Sequence, residues 1–150
     1  MKKYMLHLNT RRCIACFGCM VHCKVNKSLP VGPFLCDISC TPLKMIGGVP
    51  KTEITFSACR HCEEPLCVPV CPTDAMVKRE DGIVYIDQEK CIGCMACKTA
   101  CPWDIPVKNP DDGKAVKCDL CMDRIDAGLK PACVAKCTTH ALQLVTLETV

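Results

Sequence analysis

Residues 91–102 read Cys91-Ile92-Gly93-Cys94-Met95-Ala96-Cys97-Lys98-Thr99-Ala100-Cys101-Pro102, a C-x2-C-x2-C-x3-C-P run. Working outward, the same spacing returns at Cys13, Cys16, Cys19 and Cys23. Two relaxed versions complete the pattern. Cys59, Cys62, Cys67 and Cys71 read C-x2-C-x4-C-x3-C before Pro72, and Cys118, Cys121, Cys133 and Cys137 read C-x2-C-x11-C-x3-C. The chain is therefore an internal repeat with one constant, a last cysteine four residues after the third.

This spacing has a chemical use. Three closely set thiolates on a tight loop each grip one iron of a cubane cluster. Four residues of helix rise about 6 Å, so the fourth thiolate is carried a turn away. There it meets a different cluster, which is how such a run works in two-cluster ferredoxins. Ala15 and Gly18, matched by Gly93 and Ala96, let the loop wrap closely with backbone N–H groups toward cluster sulfurs. His61 and Leu120 stand at the matching slot of the other two runs, which predicts a different wrap there.

Other uses of cysteine fit less well. Disulfide scaffolds are usually short secreted chains, and Met1-Lys2-Lys3-Tyr4 does not open a secretory signal. Arg11-Arg12 runs straight into Cys13 with no apolar export segment behind it. A zinc ribbon needs two separated pairs, not three cysteines within seven residues and a fourth a turn later. No run of about 18 apolar residues suggests a membrane span. The chain reads as cytoplasmic, with export beside a signal-bearing partner left open.

The formal charge of +3 counts every cysteine as neutral. A four-iron cluster with four thiolates carries about −2, so four clusters bring the chain to about −5. That removes the case for nucleic-acid binding from a pI of 8.1. Lys24, Arg60, Lys90, Lys98, Lys117 and Lys136 lie near cysteines, where they either offset cluster charge and raise potentials or form solvated surface.

Between the second and third runs, two β-rich stretches flank Asp81-Gly82, a hairpin signal. Run, hairpin and run make a two-cluster unit over about residues 53–105. At the ends, Tyr4, Leu6 and Leu8 alternate with Met5 and His7, and Leu142 and Leu144 alternate with Gln143 and Val145, as in half-buried strands. Pairing of the ends would join the first and fourth runs into an outer unit, about 1–30 plus 112–150, with the inner unit inserted in it. The expected fold is one compact α+β domain over 1–150, ferredoxin-like, of two pseudo-symmetric two-cluster units with short helices and β-hairpins. Residues 25–51 and 104–117, rich in Pro and Gly, have loop composition. Helix is expected between the third and fourth cysteine of each run and over 122–128. With one Trp, two Tyr and three Phe, the clusters must nucleate folding, and the apoprotein is expected to be largely unfolded.

The residues also resemble a known family. Cys59-Arg60-His61-Cys62-Glu63-Glu64-Pro65-Leu66-Cys67-Val68-Pro69-Val70-Cys71-Pro72-Thr73-Asp74-Ala75 resembles the second motif of the four-cluster iron–sulfur subunits that serve molybdopterin and tungstopterin oxidoreductases. Cys91 to Trp103 is similar to their third motif. Lys117-Cys118-Asp119-Leu120-Cys121-Met122-Asp123-Arg124 with Gly128-Leu129-Lys130-Pro131-Ala132-Cys133 is similar to their fourth. Such subunits belong to dimethyl sulfoxide and polysulfide reductases, formate dehydrogenases and tungsten aldehyde oxidoreductases. The resemblance implies four [4Fe–4S] clusters with crossed ligands. Cys13, Cys16, Cys19 and Cys137 would hold cluster A, and Cys23, Cys118, Cys121 and Cys133 cluster B. Cys59, Cys62, Cys67 and Cys101 would hold cluster C, and Cys71, Cys91, Cys94 and Cys97 cluster D. The four would stand in one line. Cys23 and Cys137 depart from the pattern in lacking a following proline.

The implied function is relay of single electrons between a large molybdenum- or tungsten-pterin catalytic subunit and another redox subunit or soluble carrier, in anaerobic metabolism. The chain itself would not be catalytic: no nucleophile–base set, phosphate loop or dinucleotide fingerprint appears. Alternatives are a free or self-associating, filament-forming polyferredoxin and a structural or maturation metal protein. Cys36 and Cys40 lie outside the runs, either as free thiols or as a redox pair or partner-completed metal site. His22 and His61 sit beside cysteines, where they either hydrogen-bond a cluster or simply pack, and Trp103 is expected to cover a cluster.

Overall fold

The computed structural model describes residues 2–148. Its elements are all short. They run β1 (Lys2–Leu8), α1 (Gly18–Asn26), β2 (Cys36–Cys40), β3 (Lys44–Ile46), β4 (Val49–Lys51), β5 (Ile54–Ala58), β6 (Met76–Lys78), β7 (Val84–Ile86), α2 (Ala96–Ala100), β8 (Val107–Lys108), β9 (Ala115–Val116), α3 (Met122–Asp126), α4 (Ala132–Ala135) and β10 (Leu142–Glu148). The strands form antiparallel pairs only: β1 with β10, β2 with β5, β3 with β4, β6 with β7 and β8 with β9. The class is α+β.

The chain ends pair as their alternation predicts, with Leu6 opposite Leu144 and Leu8 opposite Leu142. The β6–β7 hairpin turns at Asp81-Gly82, also as predicted. Residues 25–51 differ from the expected loop. Cys36 and Ile38 are buried and Asp37 and Ser39 exposed, a period-two pattern that sets β2 against β5. Residues 104–117 likewise hold the β8–β9 hairpin. Loop composition hid both, because in each only a few alternating residues carry the strand among turn formers.

Helix joins the third and fourth cysteines in three runs, on α1, α2 and α4. In the second run, residues 66–70 form turns instead. Pro69 has no N–H to give a helix, and the bonds that form are of the tighter kind, Val68 N to Pro65 O and Cys71 N to Val68 O.

The entries to the first and third runs are built alike. Ala141 O accepts from Asn9 N at 2.8 Å, and Ala75 O accepts from Asp87 N at 2.7 Å. Asn9 and Asp87 then each accept at their side-chain oxygen from the N–H two residues on, Arg11 and Glu89. Their carbonyls accept from Cys13 N and Cys91 N. The turns after Cys71 and Cys137 also match, with Asp74 and His140 both left-handed at φ 51° and 52°.

Two-stranded pairs are marginal alone, so burial must come from elsewhere. Cys23, Leu35, Cys36 and Cys118 pack as one buried group, Met76, Val84, Cys97 and Ala115 as a second, and Cys133, Val134 and Leu142 as a third. Every group contains cysteines of the runs.

Candidate iron–sulfur centres

The third residue of each C-x-x-C loop is left-handed: Ala15 at φ 51°, His61 at 47°, Gly93 at 73° and Leu120 at 55°. All four loops share this turn, a strained one for three of the four residues. The expected difference in wrap lies beyond it: a second left-handed residue follows at Phe17 and Met95 in the first and third runs, at Cys121 in the fourth, and at no position up to Cys67 in the second. The shared turn points successive backbone N–H groups toward the space between the thiols, and Leu120 N donates to Cys118 Sγ at 3.4 Å.

The thiols come together across the runs. Cys13, Cys16, Cys19 and Cys137 line one cavity of about 360 Å3, counting its open mouth. Cys71, Cys91, Cys94 and Cys97 line a second of about 320 Å3. Cys59, Cys62, Cys67 and Cys101 line a third of about 320 Å3, with Trp103 at its edge. Cys23, Cys118, Cys121 and Cys133 are all buried, and Cys133 lies in the electrostatic field of Cys23 and Cys121, Cys118 in that of Cys133.

Burial sets the thiol chemistry. It pushes Cys67 up to about 11 and Cys133 up to about 12, and it holds Cys118 well above its ordinary value. Cys71 and Cys137 go the other way. Burial opposes ionisation at both, but N–H groups around each outweigh it: Thr73, Met76 and Ala75 at Cys71, and Leu142, Ala141 and Thr139 at Cys137. The Thr73 and Thr139 hydroxyls lie 3.8 and 3.9 Å from the two sulfurs. Metal binding requires thiolates, and hydrogen bonds to sulfur tune the bound group.

Among the described residues, no three His, Cys, Asp or Glu side chains close on a single metal ion. Four thiols round a shared cavity, with N–H donors facing the sulfurs, suit a polynuclear cluster. Residues 51–147 match the 4Fe-4S dicluster domain family. The chain belongs to that family.

As a 4Fe-4S dicluster protein it is of an electron-transfer kind, with [4Fe–4S] clusters as its cofactors. It is 40% identical over 140 residues to a subunit of the tetrathionate reductase of Salmonella typhimurium, an alignment covering 93% of this chain and 56% of that one. It is 40% identical over 146 residues to the thiosulfate reductase electron transfer subunit PhsB of Salmonella typhi, covering 96% and 76%. Against a subunit of the anaerobic dimethyl sulfoxide reductase of Escherichia coli it is 38% identical over 147 residues, covering 93% and 72%. The chain thus spans little more than half the tetrathionate reductase subunit. No helix among the described residues is long and apolar enough to cross a membrane.

The residues outside the runs sort themselves. Cys36 is buried on β2 and Cys40 exposed. Four residues of strand separate them by about 13 Å, beyond disulfide reach, so they are not a redox pair. The Cys36 thiol instead donates to Cys19 O at 3.8 Å and stands beside Cys23, whose pKa it lowers. Trp103 is half-exposed with the Arg60 guanidinium 3.4 Å over its ring. Lys27 joins the end of α1 to the fourth run through Asp119 at 2.8 Å. His61 is buried, and its Nδ1 accepts from Val84 N at 2.9 Å. Burial first, then nearby Lys117, brings its pKa down to about 3, so the ring is neutral. Its Nε2 has no hydrogen-bond partner among the described residues. Sequence reasoning gave His61 two readings and had no means to see Val84 as its partner, 23 residues away.

Proposed function

We propose that this chain relays single electrons through its four clusters, between a molybdenum- or tungsten-pterin catalytic subunit and a further redox subunit or carrier, in the cytoplasm. The observation that carries this reading is that twelve of the run cysteines line three cavities, four to each, while the remaining four are buried and lie in one another's electrostatic field. We assign Cys13, Cys16, Cys19 and Cys137 to cluster A, and Cys23, Cys118, Cys121 and Cys133 to cluster B. Cluster C takes Cys59, Cys62, Cys67 and Cys101, and cluster D takes Cys71, Cys91, Cys94 and Cys97.

The order A–B–C–D follows from which sets adjoin. Cys19 and Cys23 share α1, Cys118 lies in the field of Cys59, and α2 leads from Cys97 to Cys101. The ends of the series approach solvent, since Cys16 and Cys94 are exposed. Exposed Ile14 and Phe17 rim one end and Ile92 the other, surfaces suited to redox partners. The matched bonds at Asn9 and Asp87 support one compact domain of two pseudo-symmetric units, the inner spanning about 53–105 and the outer 1–30 plus 112–150. The relatives are subunits of reductases by name, which favours a pterin-bearing partner.

Anaerobic isolation of the tagged chain from its native cell, with metal analysis of what accompanies it, tests the proposal. A large molybdenum- or tungsten-bearing chain in constant ratio is expected. Recovery of the fully loaded chain alone would overturn the subunit reading in favour of a free carrier.

A further inference from the structure

Lys117 and His61 are the only buried polar or charged side chains among the described residues outside the cysteines. Lys117 follows β9 and precedes Cys118, and its side chain runs inward to line the cavity of Cys59, Cys62, Cys67 and Cys101. Its Nζ donates to Val84 O, to its neighbour's carbonyl, Cys118 O, at 3.0 Å, and to Cys59 Sγ at 3.4 Å. It makes no ion pair with a carboxylate among the described residues.

The other basic residues near the runs are differently placed. Lys90 pairs with Asp87 and Lys98 with Asp104, Lys24 reaches Pro33 O, and Lys136 is exposed. Among the described residues, Lys117 alone is a buried cation without an acid. Burying an ammonium unpaired is strongly unfavourable. Two carbonyls satisfy hydrogen bonds but bring no net charge, and His61, accepting at Nδ1, is a neutral ring. The negative charge that balances Lys117 must therefore come from the thiolate-bound clusters.

We infer that Lys117 is the counter-cation shared by clusters B and C, and that it raises the reduction potentials of these two central clusters relative to A and D. This rests on the ligand sets proposed above. The physical reason is direct: reduction adds a negative charge, and a fixed positive charge in a dry site favours the reduced form. Lys117 touches a sulfur of one set and the backbone of a ligand of the other, so one charge serves both. It is a positioning and tuning residue.

The test is an EPR-monitored redox titration of the loaded protein, with iron content, for Lys117→Met and Lys117→Arg. Lys117→Met is expected to keep about 16 irons and to lower the potentials of two clusters by at least tenfold in the reduction equilibrium, about 59 mV for one electron. The other two should stay in place, and Lys117→Arg should restore most of the shift. Cys59→Ser and Cys118→Ser, titrated in parallel, identify the signals that belong to those cysteines. If both alter one and the same signal, the ligand sets are wrong whatever Lys117 does. If they mark two signals and neither moves in Lys117→Met, the inference about Lys117 is overturned. Should Lys117→Met fail to load, pulsed EPR on the unsubstituted protein with lysine labelled with 15N at Nζ alone decides: a 15N coupling to a reduced cluster supports the inference, and its absence overturns it.

Discussion

At Gly93 a side chain has no room: a Cβ there would stand 2.3 Å from Gly113 O, and the φ of 73° is one that L residues adopt only under strain. At Ala15, the matching position, the same left-handed turn is held with a methyl in place, at a cost of about 1–2 kcal/mol. Gly93→Ala should therefore displace the β8–β9 turn and lose cluster D, leaving about 12 irons, whereas Ala15→Gly should load fully; iron analysis of the two variants decides it. His61 supports β7 in a different way. His61→Leu, which copies Leu120 at the matching place, would leave Val84 N buried without an acceptor, a loss of about 1–3 kcal/mol in denaturant unfolding of the loaded protein. The sixteen cysteines were legible because their meaning lies in local spacing. Lys117 was visible only as one of six basic residues near cysteines, since the partners that single it out, Val84 and Cys59, lie 33 and 58 residues away.

Among the elements, the β3–β4 hairpin stands apart, with residues 41–53 all exposed. Below it, Thr41 and Glu53 close the β2–β5 ladder: Thr41 N donates to Glu53 O, Glu53 N to Thr41 Oγ1, and Thr52 Oγ1 to Thr41 O at 2.6 Å. Replacing residues 42–51 with a two-residue glycine-containing turn should leave iron content unchanged; loss of iron would tie the arm to the cluster fold. By contrast α1 is fastened at both ends. Cys19 and Cys23 lie one turn apart, and Lys27 reaches Asp119 with both side chains about one-fifth exposed. Lys27→Met should cost on the order of 1–3 kcal/mol, read as an earlier thermal transition with all clusters present. The terminal strands and the β6–β7 hairpin followed from alternation and an Asp-Gly turn. The β2–β5 and β8–β9 pairs did not, because strands of two to five residues inside Pro- and Gly-rich stretches carry too little period to stand out.

Taken whole, the molecule has only small buried groups, with cysteines in each. The three buried apolar groups are each built round thiols of the runs, and among the described residues no sheet exceeds two strands. Four cubanes would turn the formal +3 of the chain into about −5, a charge that burial of thiols alone would not bring, since burial raises the pKa values of Cys19, Cys97, Cys118, Cys121 and Cys133. Iron removal under anaerobic chelation should accordingly collapse the structure, seen as loss of far-ultraviolet circular dichroism in step with loss of visible absorption; a chelated protein that kept its spectrum would refute metal-dependent folding. The central claim, that four cubane clusters fill the four sets of cysteines, is tested most directly by iron, acid-labile sulfide and zinc analysis of the anaerobically purified native protein. About 16 irons and 16 sulfides per chain without zinc are predicted. Zinc in place of iron, or about half that iron with the remaining thiols free, would contradict it.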